Sequence, residues 1–556
     1  MDRKLLIGLL LIFAIVYVPA VLLRRPQPKP PASAASRDSV KPDTEGPVAA
    51  PAPAVSPADS VTGSPPGETV VVRSTLYRYA ISTLGGRIVS SRLLQYRSLA
   101  PATQHDTLEL IPPGGGLLGG TVVVGTDTVN LDRVAFTASA DSLDTTKQPA
   151  TLTMHGTTGG YQIDLTYTFA SSGYRIDATG RISGLPATGG TLLVGLGNGF
   201  QETEATAADN YGQSGIVTER DKTSFLAFAK LKPRIPTPIS GPFEWAAVKS
   251  KYFVASLFAY DSTARVSTPR IGGVMAFAAD TTPRPIRAHV AVSIAVPATG
   301  AFHWTMYLGP MEYNRLAAFG HRFDDVNPYG WAWLRPVVRP IAVVIRAIFV
   351  WMHTAMGLGY GLVIVIFGLL VRVLLWPLSR TAMRSMARMQ AVQPQLTALQ
   401  ARYKENPQQL QQETFKLYKE HKVNPLGGCW PMLLPYPLLI AVFFVLAYTI
   451  EVRGVSFLWM SDLARADPLY ITPLLMSASM YVVSRIGQMG LPPNPQAKMM
   501  TWMMPGIMLL LFARFASGLN LYYAVQNIAS IPQQWLVMKE RRMMQGKPAV
   551  VVARKK

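Results

Sequence analysis

Cysteine is almost absent from this chain. Cys429 stands alone among 556 residues, so no internal disulfide is available. Seven scattered histidines and one thiol offer no metal-ligand spacing. Charge is scarce too. Asp, Glu, Lys and Arg make up 15% of the chain, against about 25% in ordinary soluble domains. Acid is scarcer than base, at 32 residues against 53, leaving a net charge of +21. A nucleic-acid binder can show that balance, but seldom together with many long apolar runs. Basic loops beside an anionic membrane leaflet explain it better. The length also exceeds what one compact domain accommodates.

What is present is a series of apolar runs. Leu5 to Leu23 follows Asp2, Arg3 and Lys4 and is itself followed by Arg24 and Arg25. A cleaved signal peptide has a shorter core with a small-residue site close behind, so a retained anchor over 1–25 is expected. Met356 to Leu378 covers 23 positions, enough to cross a hydrocarbon core of about 30 Å as a helix. Further candidate spans are about 430–450, 468–487, 499–515 and 519–538. Between the anchor and these runs, 26–67 is rich in Pro, Ala and Ser and predicts an extended linker.

From 68 to 325 the pattern changes to period two. YQIDLTYTFA (161–170), a Ser-Ser-Gly turn and YRIDATGRIS (174–183) predict a hairpin. ETVVVRS (68–74), TLTMHG (151–156), TLLVGLG (191–197), RAHVAVSIAV (287–296) and FHWTMYLG (302–309) predict further strands. Many short strands with Gly and Thr turns imply a large antiparallel sandwich. Over 332–354, Pro336 and Pro340 limit a helix before residue 341. The run Ile341–Met352 then has 12 positions, too few to span, and predicts an amphipathic helix lying in the membrane interface. The polar stretch 380–427 carries two helical patterns broken at Asn406-Pro407, the signature of a helical hairpin. Asn424-Pro425-Leu426-Gly427-Gly428 predicts a turn into the next span.

Loop charge orients the chain. Residues 379–428 hold eight Lys/Arg and three Glu, 451–467 two Arg and three acids, and 539–556 seven Lys/Arg and one Glu. Basic loops belong in the cytoplasm. The hairpin, the tail and both termini are then expected inside, with the β region on the far side.

Arg372 lies within the run 356–378 and cannot shed its proton. A charge at membrane depth costs about 2.5–3.5 kcal/mol on insertion scales. It therefore either snorkels to a headgroup or faces a polar cavity inside a helical bundle.

The blocks VRVLLWPLSRTAMRSMARMQAVQPQL (371–396), KVNPLGGCWPMLLPYPLLIAVFFVL (422–446) and FASGLNLYYAVQNIASIPQQW (515–535) resemble the YidC/Oxa superfamily of membrane protein insertases. TLGGRIVSSRLLQYR (83–97), WAAVKSKYFVASLF (245–258) and MYLGPMEYNRL (306–316) extend the resemblance to the full-length bacterial form. The resemblance implies a multi-domain membrane protein: an N-terminal anchor, a periplasmic β-supersandwich, an interfacial helix and a five-span insertase core within 356–538. It implies a non-enzymatic insertase and chaperone of the bacterial inner membrane, with no cofactor. Its partners would be nascent membrane proteins and the lipid bilayer, with the Sec translocon and the ribosome as further candidates. It also implies a hydrophilic groove, with Arg372 as the groove arginine and Tyr522 and Tyr523 as a substrate-contacting aromatic pair. Gly368, one turn before Arg372, departs from the polar residue many relatives carry. Ala516 replaces a common proline, and Arg514 is unusual at its position.

Other readings stand beside these roles. Met383, Met386 and Met389, with Met489, Met499, Met500, Met503 and Met504, suit varied apolar guests, or are ordinary packing. Tyr522 and Tyr523 serve packing equally well. The tail residues Lys547, Arg554, Lys555 and Lys556 fit ribosomal RNA or a positive-inside anchor. A secondary transporter of an anionic solute is the alternative function, although paired repeats are not evident. An outer-domain enzyme or glycan binder is a third, resting on fold alone. Removing about 70–310 separates the readings: an insertase keeps most activity, and an outer-face enzyme loses all of it.

Overall fold

Alternation builds the β domain. In Tyr161–Phe169, Ile163, Leu165, Tyr167 and Phe169 are buried while their neighbours are not, as a pleated strand with one covered face requires. The strand pairs antiparallel with Arg175–Ser183, Gln162 opposite Ser183 and Phe169 opposite Ile176. Gly173 turns the hairpin at φ +85°, a backbone region that other residues rarely enter. The computed structural model describes residues 68–261, 268–282, 284–327, 329–331, 333–377, 392, 395–421, 436–489 and 495–545.

Three sheets make the sandwich. A nine-stranded sheet runs in the order Thr223–Ala227, Gly215–Glu219, Trp245–Lys249, Phe253–Phe258, Ala301–Pro310, Arg175–Ser183, Tyr161–Phe169, Ala150–Thr158, Phe136–Ala138. A six-stranded sheet is centred on Ala288–Val296 and Gly190–Gly195, and a five-stranded one on Tyr77–Ser82. The five-stranded sheet packs on the nine-stranded one through stacked Tyr77 and Tyr79, whose ring centroids are 4.0 Å apart. The Tyr79 hydroxyl donates to the Leu308 carbonyl across that seam at 2.9 Å.

The helices follow. In chain order they are α1 (Tyr313–Phe319), α2 (Arg335–Met356), α3 (Tyr360–Leu374), α4 (Pro407–Glu420), α5 (Tyr436–Tyr448), α6 (Ile471–Gln488), α7 (Pro495–Phe512) and α8 (Ser517–Gln545). Asn406 caps α4, its side chain accepting from the Gln409 amide at 3.2 Å, which explains the break seen at Asn406-Pro407.

Several elements differ from the sequence expectation. α2, expected over 332–354, runs from Arg335 to Met356 with 22 residues, so the prolines do not confine it to 341 onward. Pro336 sits in its first turn, where an amide has no helical partner, and Pro340 removes one bond in the second. Among the described residues it is the one helix long and apolar enough to cross a membrane by length and composition. The run 356–378 is not one helix. Gly357, at φ +67°, closes α2, and α3 begins at Tyr360. Its 15 residues reach about 22 Å at 1.5 Å per residue. α8 continues through Gln545 into the expected tail, because Lys539, Glu540, Arg541 and Arg542 favour helix. The anchor over 1–25, the linker, Met383, Met386, Met389, the turn 424–428 and the last residues of the tail lie outside the described residues.

Candidate functional site

The site forms where α3 meets α8. Gly368 is buried on α3, and a Cβ there would lie 3.0 Å from Val525 Cγ1 and 3.6 Å from Tyr522 Cδ2. The missing side chain lets the two backbones approach. It also opens the Gly368 carbonyl to Gln526, whose Nε2 donates to it at 2.7 Å and lies 3.3 Å from the Tyr522 hydroxyl. One turn further along α3, Arg372 Nη2 donates to Gln533 Oε1. Gln533 Nε2 in turn donates to the Trp376 carbonyl at 3.2 Å. Tyr522, Gln526 and Gln533 are spaced four and seven apart, which places them on one helix face. That face meets α3, and Asn527 on the adjoining face donates to Met476 and Ser479 of α6.

Arg372 is therefore tethered to protein, and its side chain is half-buried. Its Nε is buried with no hydrogen-bond partner. Leaving that donor unpaired is costly, and the half-exposed guanidinium remains a fixed cation that a carboxylate or polar chain can meet. The site holds no nucleophile–base pair on these residues, and its chemistry is that of a fixed charge beside amides.

The sequence candidates separate in space. Arg372, Gly368 and Tyr522 come together. Tyr523, its ring 5.8 Å from that of Tyr522, also meets Phe512 of α7 edge-on at 5.2 Å. Tyr522 is fully buried, with Phe367 at 6.2 Å. Met499 and Met500 lie on α7, half-buried, on a helix packed against α6. Gln526 and Gln533 were not singled out from sequence. Neither carries a local signal in the sequence, since Gln533 reaches Arg372 from 161 residues away.

Two family models match the chain. Residues 351–545 match the 60Kd inner membrane protein and residues 69–344 the YidC periplasmic domain. The membrane protein insertase YidC of Syntrophus aciditrophicus is 29% identical over 571 residues, covering 97% of this chain and all of that protein. That of Ralstonia nicotianae is 32% identical, covering 88% of this chain and 87% of the relative. A YidC insertase crystal structure with its first transmembrane domain resolved covers 84% of this chain and 94% of its own, at 15% identity and a TM-score of 0.34. With a periplasmic-type β-sandwich, a helical C-terminal region and relatives matched along most of their length, the chain belongs to the YidC family of membrane protein insertases.

Proposed function

We propose that this protein inserts nascent helices into the inner membrane through a hydrophilic groove built on Arg372. Insertion makes and breaks no covalent bond. It needs a lower barrier for carrying polar flanks past lipid, where an unsatisfied polar group costs several kcal/mol. A fixed cation and the amides of Gln526 and Gln533 give an acidic or polar tail a resting place. The apolar helix then slides into lipid beside it, driven by roughly 25 cal/mol per Å² of apolar surface removed from water. The observation that carries this reading is the Arg372 guanidinium, half-buried within an apolar helix and held by Gln533 of α8. In this reading α3, α5, α6, α7 and α8 are the five core spans, and α2 lies in the interface. The hairpin around α4 and both termini face the cytoplasm, and the β domain faces the periplasm. Met499 and Met500 of α7 offer apolar guests a polarizable surface, and Met383, Met386 and Met389 are proposed as further substrate contacts. The Sec translocon and the ribosome are proposed partners. Photo-crosslinking from positions 372 and 523 to a stalled nascent membrane protein tests the proposal. Adducts from 372 are expected, and their absence at every chain length sinks it.

A further inference from the structure

The segment between α5 and α6, residues 449–467, is fastened on two sides. Toward the β domain, Arg453 enters a closed socket. Its Nε donates to both Glu204 carboxylate oxygens at 2.9 and 3.1 Å. Nη1 donates to the Arg97 carbonyl at 3.0 Å and Nη2 to the Thr203 carbonyl at 3.0 Å. The guanidinium also lies 5.7 Å from the Tyr252 ring and 5.4 Å from that of Phe253. Both side chains of the ion pair are only 4% exposed. Glu451, two residues earlier, accepts from Arg346 Nη1 of α2 at 2.5 Å, and Arg346 Nη2 donates to Asn314 at 2.5 Å. Arg465 lies 3.6 Å from Asp209.

On its other side the segment holds the two helices that carry the candidate site. The first amides of α8 have no partner within their own helix. The Ser517 amide donates to the Arg465 carbonyl at 2.5 Å and that of Gly518 to the Leu463 carbonyl at 2.9 Å. Ser517 Oγ donates to the Asp462 carbonyl at 3.0 Å. A Cβ at Gly518 would lie 3.0 Å from the Leu463 oxygen, and one at Gly361 of α3 only 2.1 Å from Phe457 Cγ. The segment thus sits directly on the backbones of α3 and α8.

We infer that Arg453 is a positioning residue. Through segment 449–467 it fastens the near ends of α3 and α8 to the β domain, while α3 and α8 themselves hold Tyr522, Gln526 and Gln533 against Gly368 and Arg372. The arginine suits this task because its fork satisfies a carboxylate and two carbonyls at once, which an ammonium cannot. The ion pair supplies specificity of seating. Burial lifts the Glu204 carboxyl above the usual range despite Arg453 beside it, so pairing does not fully offset the cost of burying the charge.

This link between the β domain and the helix ends is open to test without any insertion assay. Hydrogen exchange of the full chain in lipid nanodiscs tests it, comparing Glu204→Gln, Arg453→Met and Arg453→Lys with the parent. Exchange in 199–211 and 451–467 should rise in the first two. The decisive readout is 515–521, where at least a tenfold rise is expected in both and a smaller one in Arg453→Lys. Exchange of 515–521 within twofold of the parent in Glu204→Gln and Arg453→Met overturns it. If Arg453→Met does not fold, Glu204→Gln alone decides by the same criterion.

Discussion

At the scale of single residues, Gly368 and Lys249 carry the clearest consequences. Gly368→Val would push β-branched carbon against Val525 Cγ1, already 3.0 Å from an ideal Cβ. Overpacking of this kind costs about 1–3 kcal/mol and should part α3 from α8, lengthening the Gln526 contact. A Tm lower than the parent's, with crosslinking from 372 reduced, is the expected outcome. Lys249 is buried in Trp245–Lys249, its Nζ 5.5 Å from the Phe225 ring. Burial lowers its pKa to about 8, against about 10.4 unfolded. The folded state therefore holds this proton less tightly than the unfolded one. Its destabilising effect is full below pH 8 and is relieved as pH rises from 8 toward 10.4. Lys249→Met should raise the β domain's unfolding temperature at pH 7 and flatten its dependence between pH 8 and 10, as thermal scans would show. The site was legible in sequence to the extent that Arg372 breaks an apolar run. Its partners were not, because a glutamine 161 residues away carries no local signal.

At the scale of elements, pattern was legible where one face is covered and not where both are. The hairpin 161–183 alternates and was readable. Gly215–Glu219, Trp245–Lys249 and Phe253–Phe258 are buried at every position, so no alternation marks them. Within the stretch 332–354 expected for α2, two prolines four apart look like a stop before residue 341. Near a helix start they remove few bonds. Its exposed residues Val337, Val344 and Trp351 recur every seven positions, and Val338, Ala342, Ile345, Phe349 and Met352 are buried opposite. A helix with an apolar stripe left outside its packing face suits a bilayer interface. Trp351 fluorescence should be quenched by nitroxide lipids labelled near the headgroup, and Val344→Asp should weaken that quenching severalfold. Quenching by aqueous iodide in its place would remove α2 from the interface.

At the scale of the whole molecule, composition and loop charge suggested a membrane protein with an extra-membrane β domain. The family relationship agrees with that division. How the two parts are joined was not legible. Arg453 and Glu204 are 249 residues apart, and neither stands out from surface charges until the fold brings them together. One cation serving as an electrostatic resting place is the centre of the proposed function. Protease protection of a single-span substrate with an acidic tail, compared in Arg372→Lys and Arg372→Glu, tests that most directly. The lysine variant should keep most insertion and the glutamate variant should lose it. Equal insertion by both would contradict that role.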